Sequence, residues 1–214
     1  MERRGLLFVI SGPAGAGKSM IAKTLVERHP DVKLSVSCTT RLPRPGEIEG
    51  VHYHFVSDEE FDRLVRDGEF YEWAHVHEHR YGTLRQTVQK QLSEGHDLVL
   101  EIDVQGCLQA MEQDSEVTGI FVCPPSRENL EKRLRDRGTE TEESLRIRLN
   151  NVAREVSQAY RYDYLIVHQD WHEIPNALDI AIEEVYAIIT AMRLKTGRNM
   201  RFLNELTASL KREG

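Results

Sequence analysis

No stretch of this sequence holds the run of about 20 apolar residues that a membrane-spanning helix needs. The first apolar run, Leu6-Leu7-Phe8-Val9-Ile10, stops at Ser11-Gly12-Pro13, short of the roughly 7–15 residues of a secretory signal core. Cysteine is scarce. Cys38, Cys107 and Cys123 are an odd set with no C-x-x-C spacing, which fits neither a disulfide framework nor a structural zinc site. A reducing cytoplasm is the expected compartment. Positive charge is not in excess either: 28 Lys and Arg stand against 35 Asp and Glu, a net charge of −7, so the surface as a whole is not built to attract nucleic acid or an anionic membrane. There is no internal repeat or low-complexity tract. What is present is a 214-residue chain, 40% hydrophobic and 29% charged, with the composition of a globular protein and room for one large domain or two small ones.

Leu6 to Ile10 is continuous, branched and apolar, so it reads as a strand covered on both faces, the habit of a parallel sheet. Ile21, Ala22, Leu25 and Val26 then recur at helical spacing from Lys18 to Arg28, with His29-Pro30 as a stop. Further buried strands are expected at Asp97–Asp103, Gly119–Val122 and Tyr164–Val167. Strands alternating with helices define an α/β sheet. Between Ser35 and about Arg85 the texture shifts to Pro, Gly, Arg and Glu followed by short β-like pieces, which suggests an inserted small lobe. Ser126 to Arg137 reads as a helix, and a second opens at Thr139-x-x-Glu142 with Leu145, Leu149, Val152 and Val156 as its stripe. A last helix is expected over about Glu173–Leu194, and then a loose polar tail from Lys195.

Gly12-Pro13-Ala14-Gly15-Ala16-Gly17-Lys18-Ser19 satisfies G-x-x-x-x-G-K-[ST] between a predicted strand and a predicted helix, the context that this phosphate-binding loop requires. Its glycines let backbone N–H groups turn toward an anion, the helix start adds a positive dipole end, Lys18 reaches the β/γ-phosphates, and Ser19 ligates Mg²⁺. A carboxylate after a neighbouring strand completes such sites by holding a metal-bound water, and Glu101 and Asp103 both qualify. Asp103-Val104-Gln105-Gly106 also fits D-x-x-G, but without any N-K-x-D motif a switch GTPase is disfavoured. Arg133 and Arg137, at i and i+4 on one helix, and Arg148 on the next can converge on a phosphate chain. Phosphoryl transfer needs little more than such positioned cations.

The segment Ser35-Val36-Ser37-Cys38-Thr39-Thr40-Arg41-Leu42-Pro43-Arg44-Pro45-Gly46-Glu47, followed by Gly50 and Tyr53-His54-Phe55, presents two arginines from a proline-stiffened loop, suited to gripping a second phosphate. Here the sequence resembles the guanylate kinases. The likeness continues through Glu72-Trp73, Tyr81-Gly82-Thr83, Asp103-x-Gln105-Gly106 and Arg137-Gly138-Thr139-Glu140-Thr141, over about residues 5–190. The resemblance implies an α/β fold: a P-loop NTPase-type parallel sheet core flanked by helices, with an inserted small mixed β lobe for GMP and a helical lid. It divides one overall domain into a core (1–36, 86–125 and 151–194), a GMP lobe (37–85), a lid (126–150) and the tail (195–214).

In family terms ATP lies on Gly12 to Ser19, and Lys18, Arg41, Arg133, Arg137 and Arg148 serve the reaction. Arg41, Arg44, Tyr53 and Tyr81, with Glu47 in the same loop, belong to the GMP phosphate site. Ser37, Glu72, Thr83 and Asp103 recognise guanine, and Mg²⁺ rests on Ser19 with Asp103 as a candidate through water. A fixed carboxylate such as Glu72 can accept from guanine N1–H and N2–H₂, whereas adenine offers an acceptor at N1. The implied partners are ATP and GMP, with no nucleic acid and no membrane; the sequence admits a monomer or a homo-oligomer such as a dimer. One departure stands out at Leu165-Ile166-Val167-His168, where the family usually has an Asn that contacts adenine, so weaker ATP preference is expected.

His75-Val76-His77-Glu78-His79 alternates like a metal set but reads as a solvated hairpin. An interaction module on the same fold would not need the intact Gly17-Lys18-Ser19 and lid arginines, and a sugar-phosphate kinase would have no use for Ser37, Glu72 and Thr83. The reading predicts that Lys18→Ala lowers turnover by orders of magnitude while GMP binding survives. Steady-state kinetics beside a GMP titration check it, and unchanged turnover would refute the role of Lys18.

Overall fold

The computed structural model of the chain describes residues 4–76, 78–136, 142–170 and 172–211. The chain opens with β1 (Leu7–Ser11) and α1 (Lys18–Arg28), the helix covering the residues its spacing predicts. β2 (Val32–Leu34) leads into β3 (Cys38–Thr39), β4 (His54–Phe55), α2 (Asp58–Arg66), β5 (Phe70–Val76) and β6 (His79–Leu84). There follow α3 (Arg85–Ser93), β7 (Asp97–Glu101), α4 (Val104–Gln113) and β8 (Thr118–Cys123). The remainder comprises α5 (Arg127–Asp136), α6 (Glu142–Val156), β9 (Tyr164–Val167), α7 (Ala177–Leu194) and α8 (Met200–Leu210).

The main sheet has the order β2-β7-β1-β8-β9, every pairing parallel. β1 lies at its centre, with Leu7 opposite Leu98 and Ile10 opposite Glu101 on one side, and Phe8 opposite Thr118 on the other. Alternate β1 side chains enter opposite faces. Phe8 and Ile10 pack with Ile21 and Leu25 of α1 and with Ile182, Val185 and Ile189 of α7. Leu7 and Val9 pack with Val88 and Leu92 of α3 and with Cys107 and Ala110 of α4. Each such buried aliphatic side chain contributes about 1.5–3 kcal/mol. β9, read from its sequence as buried, pairs with β8 alone and leaves Leu165 and Val167 exposed, because an edge strand receives cover from fewer neighbours.

The second sheet, of order β4-β3-β6-β5, is mixed: β3 runs parallel to β4 and antiparallel to β6. Cys38, Phe61, Leu64 and Phe70 form its core, with Trp73 set edge-on against Phe61. α2 starts cleanly because the Ser57 hydroxyl accepts from Glu60 N at 3.1 Å and Asp58, Glu59 and Glu60 meet the positive helix end. α5 and α6 pack through Leu130, Leu134, Leu145 and Val152, whereas Val156, counted in the stripe, is exposed at the helix's last residue. The Thr139 capping box lies outside the described residues.

α7 begins at Ala177, later than expected, because a turn in which Asp170 O accepts from the N–H groups of Glu173 and Ile174 precedes it and Pro175 disfavours helix at Ile174. The segment expected as a loose polar tail is α8. Met200, Leu203, Leu206 and Leu210 give it an amphipathic stripe that the polar average composition hides.

Asp97 ties these parts together. Fully buried, it accepts from Leu6 N at 2.8 Å and from Arg193 Nε at 2.6 Å, joining the approach to β1, the start of β7 and the end of α7. Removing the carboxylate leaves Leu6 N–H and Arg193 Nε without their acceptor, while Arg193 keeps Asp31 at 2.6 Å, so Asp97→Ala is expected to cost about 1–3 kcal/mol. Urea unfolding would read that loss, and a change below about 1 kcal/mol would show the pair to be dispensable.

Candidate active site

Parallel α/β sheets build their sites beyond the carboxyl ends of the strands. Here the glycine loop leaves β1 and crosses to α1, whose N-cap is Gly17 in the left-handed region (φ 97°). Gly12 admits no side chain because a Cβ would meet Val122 O at 2.0 Å, and a Cβ at Gly15 would strike Leu130 Cδ1 at 2.9 Å. Lys18 folds back over the loop, its Nζ donating to Gly12 O at 2.7 Å and Pro13 O at 3.0 Å. Ser19 Oγ donates to Glu101 Oε1 at 3.0 Å, as the register of β1 with β7 brings that carboxylate beside the loop.

Asp103, the candidate metal partner through water, lies in the same cleft as Ser19 and caps a helix. Its Oδ1 accepts from Gly106 N at 2.9 Å and caps α4. Burial holds its carboxyl above the usual range, against that hydrogen bond and the nearby Lys18. Glu101 is the carboxylate that reaches Ser19, because it ends β7, the strand beside the central β1, a place that only the register reveals.

A cleft of about 470 Å³ runs from the loop to the second sheet, lined by Lys18, Ser19, Glu101 and Asp103 on one wall and by Ser37, Tyr53, Glu72 and Tyr81 on the other. Ala74 and Met20, which no motif marked, also line it. Glu72 is buried, and its Oε1 has no hydrogen-bond partner among the described residues. Burial pushes its carboxyl up to about 7, with the charge of Asp103 adding to the rise and hydrogen bonding from Thr83 opposing it. The Ser37 and Thr83 hydroxyls lie 3.4 Å apart, so three hydrogen-bonding side chains from β5, β6 and the approach to β3 face one space.

The proline-stiffened loop is held by Glu47. Its Oε1 accepts from Arg41 Nη2 at 2.8 Å and its Oε2 from Arg44 N at 2.7 Å. The Arg41 guanidinium holds the Glu47 carboxyl down at about 2. Arg41 is buried with its guanidinium 5.4 Å from the Tyr53 ring centre, and Tyr53 stands edge-on to Tyr81 at 5.9 Å, while Arg44 remains exposed.

Among the lid arginines, Arg133 is buried and donates from Nη2 to His168 O at 3.0 Å and Gln169 O at 2.7 Å. Arg137 and the side chain of Arg148 lie outside the described residues. His168 is sealed beneath the glycine loop with its Nδ1 2.9 Å from Ala16 O.

A backbone anion cradle with its own lysine and Ser–carboxylate pair, facing a second lobe across one cleft, is the equipment of a P-loop phosphotransferase. The guanylate kinase family model matches residues 4–185. The chain is 45% identical over 199 residues to a guanylate kinase of Caldanaerobacter subterraneus subsp. tengcongensis, covering 93% of each chain. It is 46% identical to one of Sphingopyxis alaskensis, covering 94% of this chain and 88% of that one. The crystal structure of guanylate kinase from Anaplasma phagocytophilum superposes with a TM-score of 0.75 at 34% identity, over 96% of each chain. The chain belongs to the guanylate kinase family, and its class of activity is that of a nucleoside monophosphate kinase. No helix of the described residues is long and apolar enough to cross a membrane.

Because Glu72 titrates near about 7 in the fold against an ordinary 4.5, the folded chain binds its proton more tightly than the unfolded chain. Its stabilising contribution is therefore complete below about pH 4.5 and is lost as pH rises through about 7. Thermal melts should show the wild type losing stability relative to Glu72→Gln between pH 5 and pH 8; a constant offset would place the Glu72 titration elsewhere.

Proposed function

We infer that this chain transfers the γ-phosphoryl group of ATP to the 5′-phosphate of GMP, and of dGMP, giving ADP and the nucleoside diphosphate. The observation that carries the reading is the cleft itself, in which Glu72 with its unpartnered Oε1 faces the glycine loop. A carboxylate fixed there accepts from both guanine donors, while the Ser37 and Thr83 hydroxyls are placed to donate to O6. Adenine would leave the carboxylate opposite an acceptor, a mismatch that a dry site penalises heavily. Asp103 supports this end of the cleft through the cap of α4.

Arg41, Arg44, Tyr53 and Tyr81 take the GMP phosphate. Glu47 acts on that phosphate through Arg41, whose guanidinium it holds in place before substrate arrives, which reduces the ordering cost of binding. At the other wall the loop N–H groups and Lys18 take the ATP phosphates. Ser19 and Glu101 supply hard oxygen donors of the kind that Mg²⁺ accepts alongside phosphate oxygens and water. When bound, the ion would neutralise charge on the β- and γ-phosphates. The two phosphate groups are held in line, and the positive charge of Lys18, Arg41, Arg133, Arg137 and Arg148 stabilises the equatorial oxygens of the transferring group. Closure of α5 and α6 with the GMP lobe excludes the water that would otherwise accept it. Scarce cysteine with no C-x-x-C spacing supports a reducing cytoplasm as its compartment.

A coupled ADP-release assay with ATP and Mg²⁺ over GMP, dGMP, AMP, CMP, UMP and ribose 1,5-bisphosphate tests this function. Turnover confined to GMP and dGMP is expected. Turnover on the sugar phosphate would overturn the guanine-reading assignment, and turnover on none would move the fold to a binding role.

A further inference from the structure

His168 follows β9, and its N–H extends the sheet by donating to Cys123 O at 2.9 Å. Its ring turns inward beneath the glycine loop and is 1% exposed. A carbonyl can only accept, so the 2.9 Å contact with Ala16 O fixes the hydrogen on Nδ1. Nε2 is then a bare acceptor, buried and without a hydrogen-bond partner among the described residues. Burial and the neighbouring Arg133 hold the imidazole below its usual range, while the Ala16 contact opposes that shift. The ring also presses on the loop's crest: a Cβ at Gly17 would come within 2.3 Å of Nδ1. Arg133 encloses the same point, donating to His168 O and Gln169 O and, at 3.4 Å, to Ala16 O.

Ala16 C=O and Gly17 N–H belong to one trans peptide unit, in which the two groups point in opposite directions. Pinning the carbonyl from below therefore aims the N–H away from His168. Ala16 is sealed while Gly17 lines the cleft, so the upward side is the phosphate side. We propose that His168 is a positioning residue for the phosphoryl donor, its Nδ1–H acting through Ala16 O to hold the Gly17 N–H toward the donor phosphates. The inference rests on the donor reading of the loop and differs from a role in reading the donor base.

Inorganic tripolyphosphate has phosphates and no base, so it separates the two roles. Its affinity, with those of ATP and GTP, is measured by calorimetry for the wild type and for His168→Phe, which keeps a ring without an N–H, and His168→Asn, whose amide nitrogen falls near the Nδ1 position. His168→Phe should weaken tripolyphosphate, ATP and GTP alike by about tenfold, the size of one lost hydrogen bond. It should raise KM for ATP and leave KM for GMP unchanged, and His168→Asn should restore most of the loss. Unchanged tripolyphosphate affinity in both variants, with or without a shifted ATP:GTP ratio, would overturn the proposal, as would a loss that Asn fails to restore.

A measurement on the wild type needs no variant to fold. Imidazole ¹⁵N shifts should report His168 protonated at Nδ1 and bare at Nε2; the opposite tautomer would also overturn it. A wild type that binds tripolyphosphate but does not phosphorylate GMP would sink the kinase reading and leave this test intact.

Discussion

The contacts that hold the carbonyls of the turn from β1 into α1 are the constraint behind the rest of the structure. A loop that is to bind an anion through its N–H groups must hold them apart from the carbonyls that would otherwise satisfy them. The chain meets this constraint from three directions: Lys18 occupies Gly12 O and Pro13 O, His168 and Arg133 converge on Ala16 O, and the helix dipole of α1 opens upward at Gly17. β1 carries the whole arrangement because parallel neighbours on both sides fix its height and twist. Had β7 been shifted by one residue, Glu101 would have faced the opposite side of the sheet and Ser19 would have lost its carboxylate.

The second lobe follows the same logic with charge in place of backbone. Glu47 spends both oxygens on its own loop, so Arg41 and the Arg44 backbone are ordered without substrate. Glu72 does the reverse, buried with one oxygen unspent. A desolvated carboxylate with unused acceptor capacity is costly to the empty fold, and the burial that leaves its oxygen unspent is also what raises its proton affinity.

Local patterns made much of the scaffold legible. The run Leu6–Ile10, the glycine motif and the spacing of Ile21, Ala22 and Leu25 specify strand, loop and helix from neighbouring residues alone, and α1 covers the residues so read. Where position relative to other elements decides, local pattern and structure part. The apolar residues of β9 predict a buried strand, yet a strand's exposure depends on whether a neighbour lies beyond it. The average polarity of the segment after Lys195 predicts a loose tail and conceals the stripe of α8. Val156 fits a helical period and still faces solvent, since period alone does not say where the packing surface ends.

Residue identities and spacing by themselves determined the phosphate loop, the pair of arginines in a stiff loop and the family resemblance, because each of those signals is local or carried by a motif. Only tertiary structure chose Glu101 over Asp103 as the partner of Ser19, gave Glu47 to Arg41, and placed His168 under the glycine loop 152 residues away in sequence. Those choices depend on sheet register and on which atoms a fold leaves without water, and neither quantity exists until distant segments have packed.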